Sequence, residues 1–179
     1  LGDYDYKLKE LAPEELYSFM GARDFKGINV TIPYKEKVIP FLSEIEPRAQ
    51  DIGVVNTVVN RGGKLFGYNT DFFGIRSLIS HAGILAEGKK IAILGSGGNS
   101  KTAYAVFESL AASKIFTVSR SPKEGSITYL ELYQNHADTQ VIINTTPVGM
   151  FPKSNFKPVN VTMFPKLSGV IDVIYNPIK

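Results

Sequence analysis

Ile91-Ala92-Ile93-Leu94-Gly95-Ser96-Gly97-Gly98-Asn99-Ser100 is the stretch whose reading decides the fold. Four apolar residues make a short strand that expects cover on both faces. A glycine turn follows, and then a run from about Asn99 to Ala112 that contains neither proline nor glycine and so continues as a helix. Gly95 permits a tight turn. Gly97 removes the side chain that would keep a bound phosphate away from the backbone. Ser100 supplies the small third residue of a G-x-G-x-x-small pattern. The helix start directs unpaired N–H groups and its positive dipole end at the turn. In this strand–turn–helix setting the pattern is a dinucleotide fingerprint. The spacing G-x-x-x-x-G-K-[ST] of a nucleotide-triphosphate loop is absent.

Downstream, Ile115 to Ser119, Val141 to Asn144 and Val170 to Asp172 read as further short apolar strands. Helical stretches separate them, including Thr128 to Asn135, so a parallel, helix-covered sheet is expected. The end of the second strand selects the cofactor. An acidic residue there suits the ribose hydroxyl of NAD, whereas an arginine suits the 2′-phosphate of NADP. The sequence reads Val118-Ser119-Arg120-Ser121-Pro122-Lys123, which favours NADP over NAD.

Upstream the grammar differs. Tyr4 to Leu8 reads as a strand, a helix starts at Pro13, and Gly27 to Pro33 is a strand that must stop at the proline. Lys35 to Leu42 and Pro47 to Ile52 read as helices. Val54 to Val59 and Lys64 to Tyr68 flank Asn60-Arg61-Gly62-Gly63 as a hairpin. Phe72 to His81 has helical spacing and ends before Gly83, a C-cap glycine. The expected fold is therefore α/β: an N-terminal α/β domain, residues 1–72, and a Rossmann-like doubly wound parallel sheet, residues 73–179.

Composition narrows the function classes. Hydrophobic residues make up 44% and charged residues 21%, ordinary for a globular protein. With no cysteine there is no disulfide, thiolate metal site or cysteine nucleophile. The two histidines, His81 and His136, lack neighbours at ligand spacing, so no metal is expected. A net charge of +3 spread along the chain is read as solubility and not as a nucleic-acid footprint. No apolar run approaches the roughly 18 residues of a membrane span. The expectation is a cytoplasmic protein with a small-molecule partner.

In the first half, polar residues interrupt strands where apolar ones belong. Asn29 and Thr31 sit two apart on one strand face, Lys35 follows the strand, Asn56 and Thr57 break a valine-rich run, and Asn69-Thr70-Asp71 precede a helix. Singly, each has a local reading as a cap, turn or surface residue. Together they describe a wall of hydroxyl, amide, ammonium and carboxylate groups suited to a polyol.

The runs Gly27 to Glu36, Val55-Asn56-Thr57, Gly67-Tyr68-Asn69-Thr70-Asp71, Gly95-Ser96-Gly97-Gly98, Asn144 to Met150 and Asp172 to Pro177, in this order, resemble the shikimate dehydrogenase family. The resemblance implies NADP-dependent, reversible reduction of 3-dehydroshikimate to shikimate in aromatic amino-acid biosynthesis. A quinate/shikimate enzyme using NAD, or a non-catalytic ligand-sensing relative, stands as the alternative. It implies Lys35 and Asp71 as the catalytic pair, and Asn29, Thr31, Asn56, Asp71 and Tyr175 at the substrate. Gly95, Ser96, Gly97, Gly98 and Asn99 would hold the pyrophosphate. Ser119, Arg120, Ser121 and Lys123 would hold the adenosine end, with Thr146 and Val173 along the cofactor. It further implies that a Ser-x-Ser strand before residue 1 and closing helices after residue 179 lie outside this stretch of sequence. Pro122 and Gly125 interrupt the helix that the family places after its arginine loop.

Overall fold

The computed structural model describes residues 5–152 and 154–174. It contains two sheets, the first with one apolar core and the second with one on each face. The first has four strands: β1 (Gly27–Asn29), β2 (Glu44–Ile45), β3 (Thr57–Arg61) and β4 (Lys64–Tyr68), in the order β1-β3-β4-β2. The hairpin β3–β4 is antiparallel, β1 pairs antiparallel with β3, and β2 pairs parallel with β4. Helices α1 (Leu16–Ala22) and α2 (Pro47–Ile52) supply Leu16, Met20 and Ala49 to its core, beside Val55, Val58 and Leu65.

The second sheet has five parallel strands: β5 (Lys90–Leu94), β6 (Lys114–Val118), β7 (Ser126–Ile127), β8 (Val141–Asn144) and β9 (Gly169–Asp172). Their order is β7-β6-β5-β8-β9. The chain builds outward from β5 on one side, then returns to start the other side at β8. This is the doubly wound arrangement expected from the sequence, with its switch point between β5 and β8. Alternation along the strands divides the two cores. Ile91, Ile93, Val141 and Ile143 face α3 (Asp71–His81) and α4 (Gly98–Ser109), while Ala92, Leu94 and Ile142 face α5 (Tyr129–Asn135). Helix α3 follows directly on the first sheet, yet Phe72, Ile75 and Ile79 pack into the second core.

Several local expectations need correction. Residues 5–8 form no strand: Tyr6 and Leu8 stand exposed, and among the described residues no strand runs beside them to accept the ladder. The first strand ends at Asn29: the Val30 N–H still bonds to the Asn56 carbonyl, its partner in the β1–β3 register, and the chain then turns through Thr31 to Tyr34. Lys35 to Leu42 is not an α-helix but turns ending in one 3-10 turn at Ile39–Phe41. The Lys35 carbonyl is taken by the Val55 N–H at 2.9 Å, Ile39 N–H reaches Glu36 instead, and Pro40 offers no donor. The run from Val54 becomes strand only at Thr57, and α4 stops at Ser109. The two-residue strands β2 and β7 have no counterpart in the sequence reading.

Phe107 is fully buried where α4 meets the second sheet. Phe107→Ala is expected to cost about 3–5 kcal/mol, measured as a lowered midpoint in denaturant unfolding with an unchanged slope.

Candidate functional site

Lys35 sits in the turn after β1, its backbone pinned by the Val55 bond. Its Nζ donates to Asp71 Oδ2 at 2.7 Å and to Asn99 Oδ1 at 2.7 Å. Asp71 opens α3, where a carboxylate also favours the helix N-terminus, and Asn99 lies in the first turn of α4. The lysine side chain is 12% exposed and the aspartate 35%. The lysine side chain is therefore mostly removed from water, while the aspartate side chain stays about one-third exposed. Three segments far apart in sequence thus meet at one charged group.

The polar wall has a definite layout. Asn29, Thr57 and Tyr68 lie side by side across β1, β3 and β4. Asn56 is buried, and its Oδ1 accepts from the Thr70 N–H at 2.9 Å and the Thr57 hydroxyl at 3.0 Å, while its Nδ2 donates to Thr70 Oγ1. Asn56 therefore braces the segment that delivers Asp71. Asn69 is buried too. Its Nδ2 donates to the Val54 carbonyl and Thr102 Oγ1, and its Oδ1 caps the Phe72 N–H of α3. Asn29 and Thr31 are exposed, with Asn29 accepting from the Tyr6 hydroxyl. Among the described residues, no buried side-chain nitrogen or oxygen lacks a partner. Tyr175 lies outside the described residues.

Beside Lys35 opens a cavity of about 830 Å³. Gly95, Ser96, Gly97, Gly98, Asn99, Ser119, Arg120 and Thr146 all line it, as do Lys35 and Ile32 from the first sheet's side. It lies at the C-terminal ends of β5, β6 and β8, on the switch point. A Cβ on Gly95, whose φ is +114°, would stand 2.8 Å from Thr145 Oγ1, so the two strand ends close on each other there. Nothing lies within 4 Å of the Cβ position at Gly97, and Gly97 offers α4 no side-chain cap. The Gly98 and Asn99 amides that open α4 have no intrahelical acceptor, as the cradle for a pyrophosphate requires. These residues fit a nicotinamide dinucleotide.

Ser121, Lys123 and Val173 do not line this cavity. Ser121 is tied to Ser119 Oγ, Lys123 lines a second cavity behind the glycine turn, and the Val173 N–H bonds to the Asn144 carbonyl. Thr146 is held by its hydroxyl donating to Asn144 Oδ1 at 2.7 Å, and Asn144 in turn donates to Asp172. Tyr129 also lines the cavity, and the sequence reading did not single it out. Burial pushes its phenol above the ordinary value and the Arg120 guanidinium pulls it partly back, so it stands beside Arg120 as a protonated donor. With β7 unseen, nothing in the sequence placed Tyr129 at a strand end.

The sequence profile described as the shikimate dehydrogenase substrate binding domain matches residues 2–58. An NADP(+) shikimate dehydrogenase of Clostridium beijerinckii is 36% identical over 184 residues, covering 96% of this chain and 67% of that protein. The chain belongs to the shikimate dehydrogenase family. Its fold is also that of solved shikimate dehydrogenases. The Peptoclostridium difficile structure superposes with a TM-score of 0.85 at 37% identity, over 94% of this chain and 66% of that one. The Thermus thermophilus enzyme, in complex with NADP(H) and shikimate, superposes with a TM-score of 0.78 at 28% identity, over 93% and 66%. The chain thus spans about two thirds of the length of these family members.

Asn56→Ala removes the acceptor of the Thr70 N–H and the Thr57 hydroxyl. It is expected to lower unfolding free energy by about 1–3 kcal/mol, read from denaturant titrations, with loss of amide protection at Thr70 in hydrogen exchange.

Proposed function

We propose that this protein is an NADP-dependent shikimate dehydrogenase, with Lys35 and Asp71 as its catalytic pair. The observation that carries the reading is the Lys35–Asp71 contact at 2.7 Å on the rim of the dinucleotide-sized cavity. The names of its relatives support NADP as the cofactor and shikimate as the substrate. A division into a substrate domain, residues 1–72, and a cofactor domain, residues 73–179, belongs to the same proposal. Supporting it are the separate cores of the two sheets and the packing of Ile75 and Ile79 of α3 into the second one, where Phe72, the last residue of the first unit, already packs as well.

Oxidation of a ring hydroxyl to a ketone sends a hydride from carbon and a proton from oxygen to different acceptors. Bound NADP supplies the hydride chemistry. The protein's task is the proton. Neutral Lys35 takes it from the hydroxyl oxygen at Nζ, and in the reverse direction the ammonium returns it while stabilising the negative charge that grows on the carbonyl oxygen. Asp71 holds the lysine in place and offers a partly exposed carboxylate oxygen to a neighbouring substrate hydroxyl. Asn29, Thr31 and the Asn56–Thr57–Thr70 network lie toward the substrate's hydroxyls, and Tyr175 completes the proposed set. Arg120, with the Tyr129 hydroxyl beside it, suits a 2′-phosphate through a bidentate fork of donors.

Lys35→Ala is expected to lower kcat by about 10²–10⁴-fold while leaving NADP affinity nearly unchanged. Initial rates of shikimate oxidation and a separate NADP titration check this; lost affinity at unchanged turnover would contradict it. Arg120→Ala is expected to raise the KM for NADP by about tenfold or more and to leave the KM for NAD almost unmoved. Rates with shikimate and quinate, each with NADP and NAD, test the whole reading, and no dehydrogenation in any pairing would instead favour a ligand-sensing relative.

A further inference from the structure

Asn99 holds a position that the glycine turn does not require. A turn that cradles phosphate needs small residues and backbone amides, and a methyl group at this place would satisfy it. The side chain instead reaches out of the cofactor layer to Lys35, its Oδ1 accepting from Nζ at 2.7 Å. Chemistry fixes the orientation of the amide, because an ammonium has donors only and the oxygen must face it. The two N–H groups of Nδ2 are therefore turned to the other side. Among the described residues they have no hydrogen-bond partner, and Asn99 lines the same cavity as Gly95, Gly97 and Gly98.

An ammonium carries three donors. One is taken by Asp71 and one by Asn99, which leaves one for a substrate oxygen. With a single partner the end of the lysine stem could pivot about that contact and carry the third donor with it. With two partners fixed on α3 and α4, helices packed in one core, its direction is set. Close neighbours support that rigidity. A Cβ on Gly98 would stand 3.5 Å from Lys35 Cδ and 3.2 Å from Val54 Cγ1, so the start of α4 lies directly against the lysine's stem.

We propose that Asn99 is a positioning residue that joins the nucleotide phosphates to the catalytic lysine: its oxygen aims the Lys35 ammonium, and its amide N–H groups donate to the pyrophosphate. This rests on the dehydrogenase reading for the role of Lys35. It adds a direct bond by which cofactor occupancy steadies the proton-transfer group. A phosphate oxygen accepting from Nδ2 holds the carboxamide plane in the orientation that Lys35 needs, and a well-aimed Lys35 holds the same plane ready for phosphate.

Two substitutions separate the halves of the bridge. Asn99→Ala removes both, whereas Asn99→Asp keeps an oxygen for Lys35 but loses the N–H donors and sets a negative charge toward the phosphates. In the whole protein, NADP dissociation constants come from titration without substrate, and kcat from shikimate oxidation at saturating NADP. Asn99→Ala is expected to lower kcat by about 10–100-fold, the scale of a small misplacement of a reacting group. Asn99→Asp is expected to weaken NADP binding by about tenfold or more. Because it keeps an oxygen on Nζ it loses less kcat at its own pH optimum than Asn99→Ala, and because a second carboxylate favours the ammonium its pH profile for shikimate oxidation moves upward. A merely structural role would move both quantities together in both variants. Unchanged kcat in Asn99→Ala, or an equal loss of kcat in the two variants, would overturn the aiming of Lys35. Unchanged NADP affinity in both would overturn the phosphate contact. If the unsubstituted protein oxidises no shikimate, the dehydrogenase reading fails and the aiming of Lys35 falls with it, while the titration still decides the phosphate contact.

Discussion

A single lysine side chain, mostly removed from water where the two sheets meet, is the constraint on which the rest of the structure depends. Lys35 is delivered by the first sheet, but both partners of its Nζ stand on helices of the second core. A charge so placed is costly without close partners, so the folding of each layer must finish with the other in register. The Lys35 carbonyl is fixed by Val55, Asp71 is delivered by a segment braced on Asn56, and Asn69 ties Val54 to Thr102 on α4. These buried bonds hold the junction rigid. The Glu36–Lys101 pair at 2.7 Å also crosses it, but both side chains are about half exposed, and such a pair contributes little.

The two layers divide the work according to what each sheet makes available. A parallel sheet buried on both faces presents only its strand ends, and the switch point between β5 and β8 leaves a crevice there. The glycine turn and the Thr145–Thr146 segment wall that crevice, and Asn144 braces its far side through Thr146 and Asp172. The first sheet, partly open to solvent, can carry polar groups in a row, and Asn29, Thr57 and Tyr68 stand in register across it. In the proposed function a redox cofactor and a hydroxylated ring acid would be met by different surfaces that share one edge, with Lys35 on that edge.

The second sheet was legible because its signals are local and strong. Ile91 to Leu94 and Val141 to Asn144 are continuous apolar runs, and the glycine spacing between Leu94 and Ser100 allows few other conformations. Arg120 was legible for the same reason, standing one residue beyond a clear strand and its serine. The first sheet was harder. Lys35 to Leu42 has helical spacing, but the Val55 N–H takes the carbonyl that the helix would have used, a tertiary bond that no local pattern announces. Tyr6 and Leu8 alternate like a strand yet find no partner strand among the described residues. Two-residue strands such as β7 are defined by pairing alone, so no local pattern marks Tyr129 as lying just beyond a strand end. Lys35 and Asp71 could be named as a pair through the family's motifs. That Asn99 joins them could not, because the contact spans 64 positions and an asparagine in a glycine turn reads as a cofactor residue or a cap.

A crystal structure of the whole protein with both NADP and shikimate bound would test the central claim most directly. The expected result is Lys35 Nζ within about 2.6–3.2 Å of the ring hydroxyl to be oxidised, with Asp71 still bonded to Nζ and the nicotinamide ring facing the same carbon. Shikimate bound away from Lys35, or a nicotinamide ring turned from the crevice that Lys35 and Asp71 share, would contradict it.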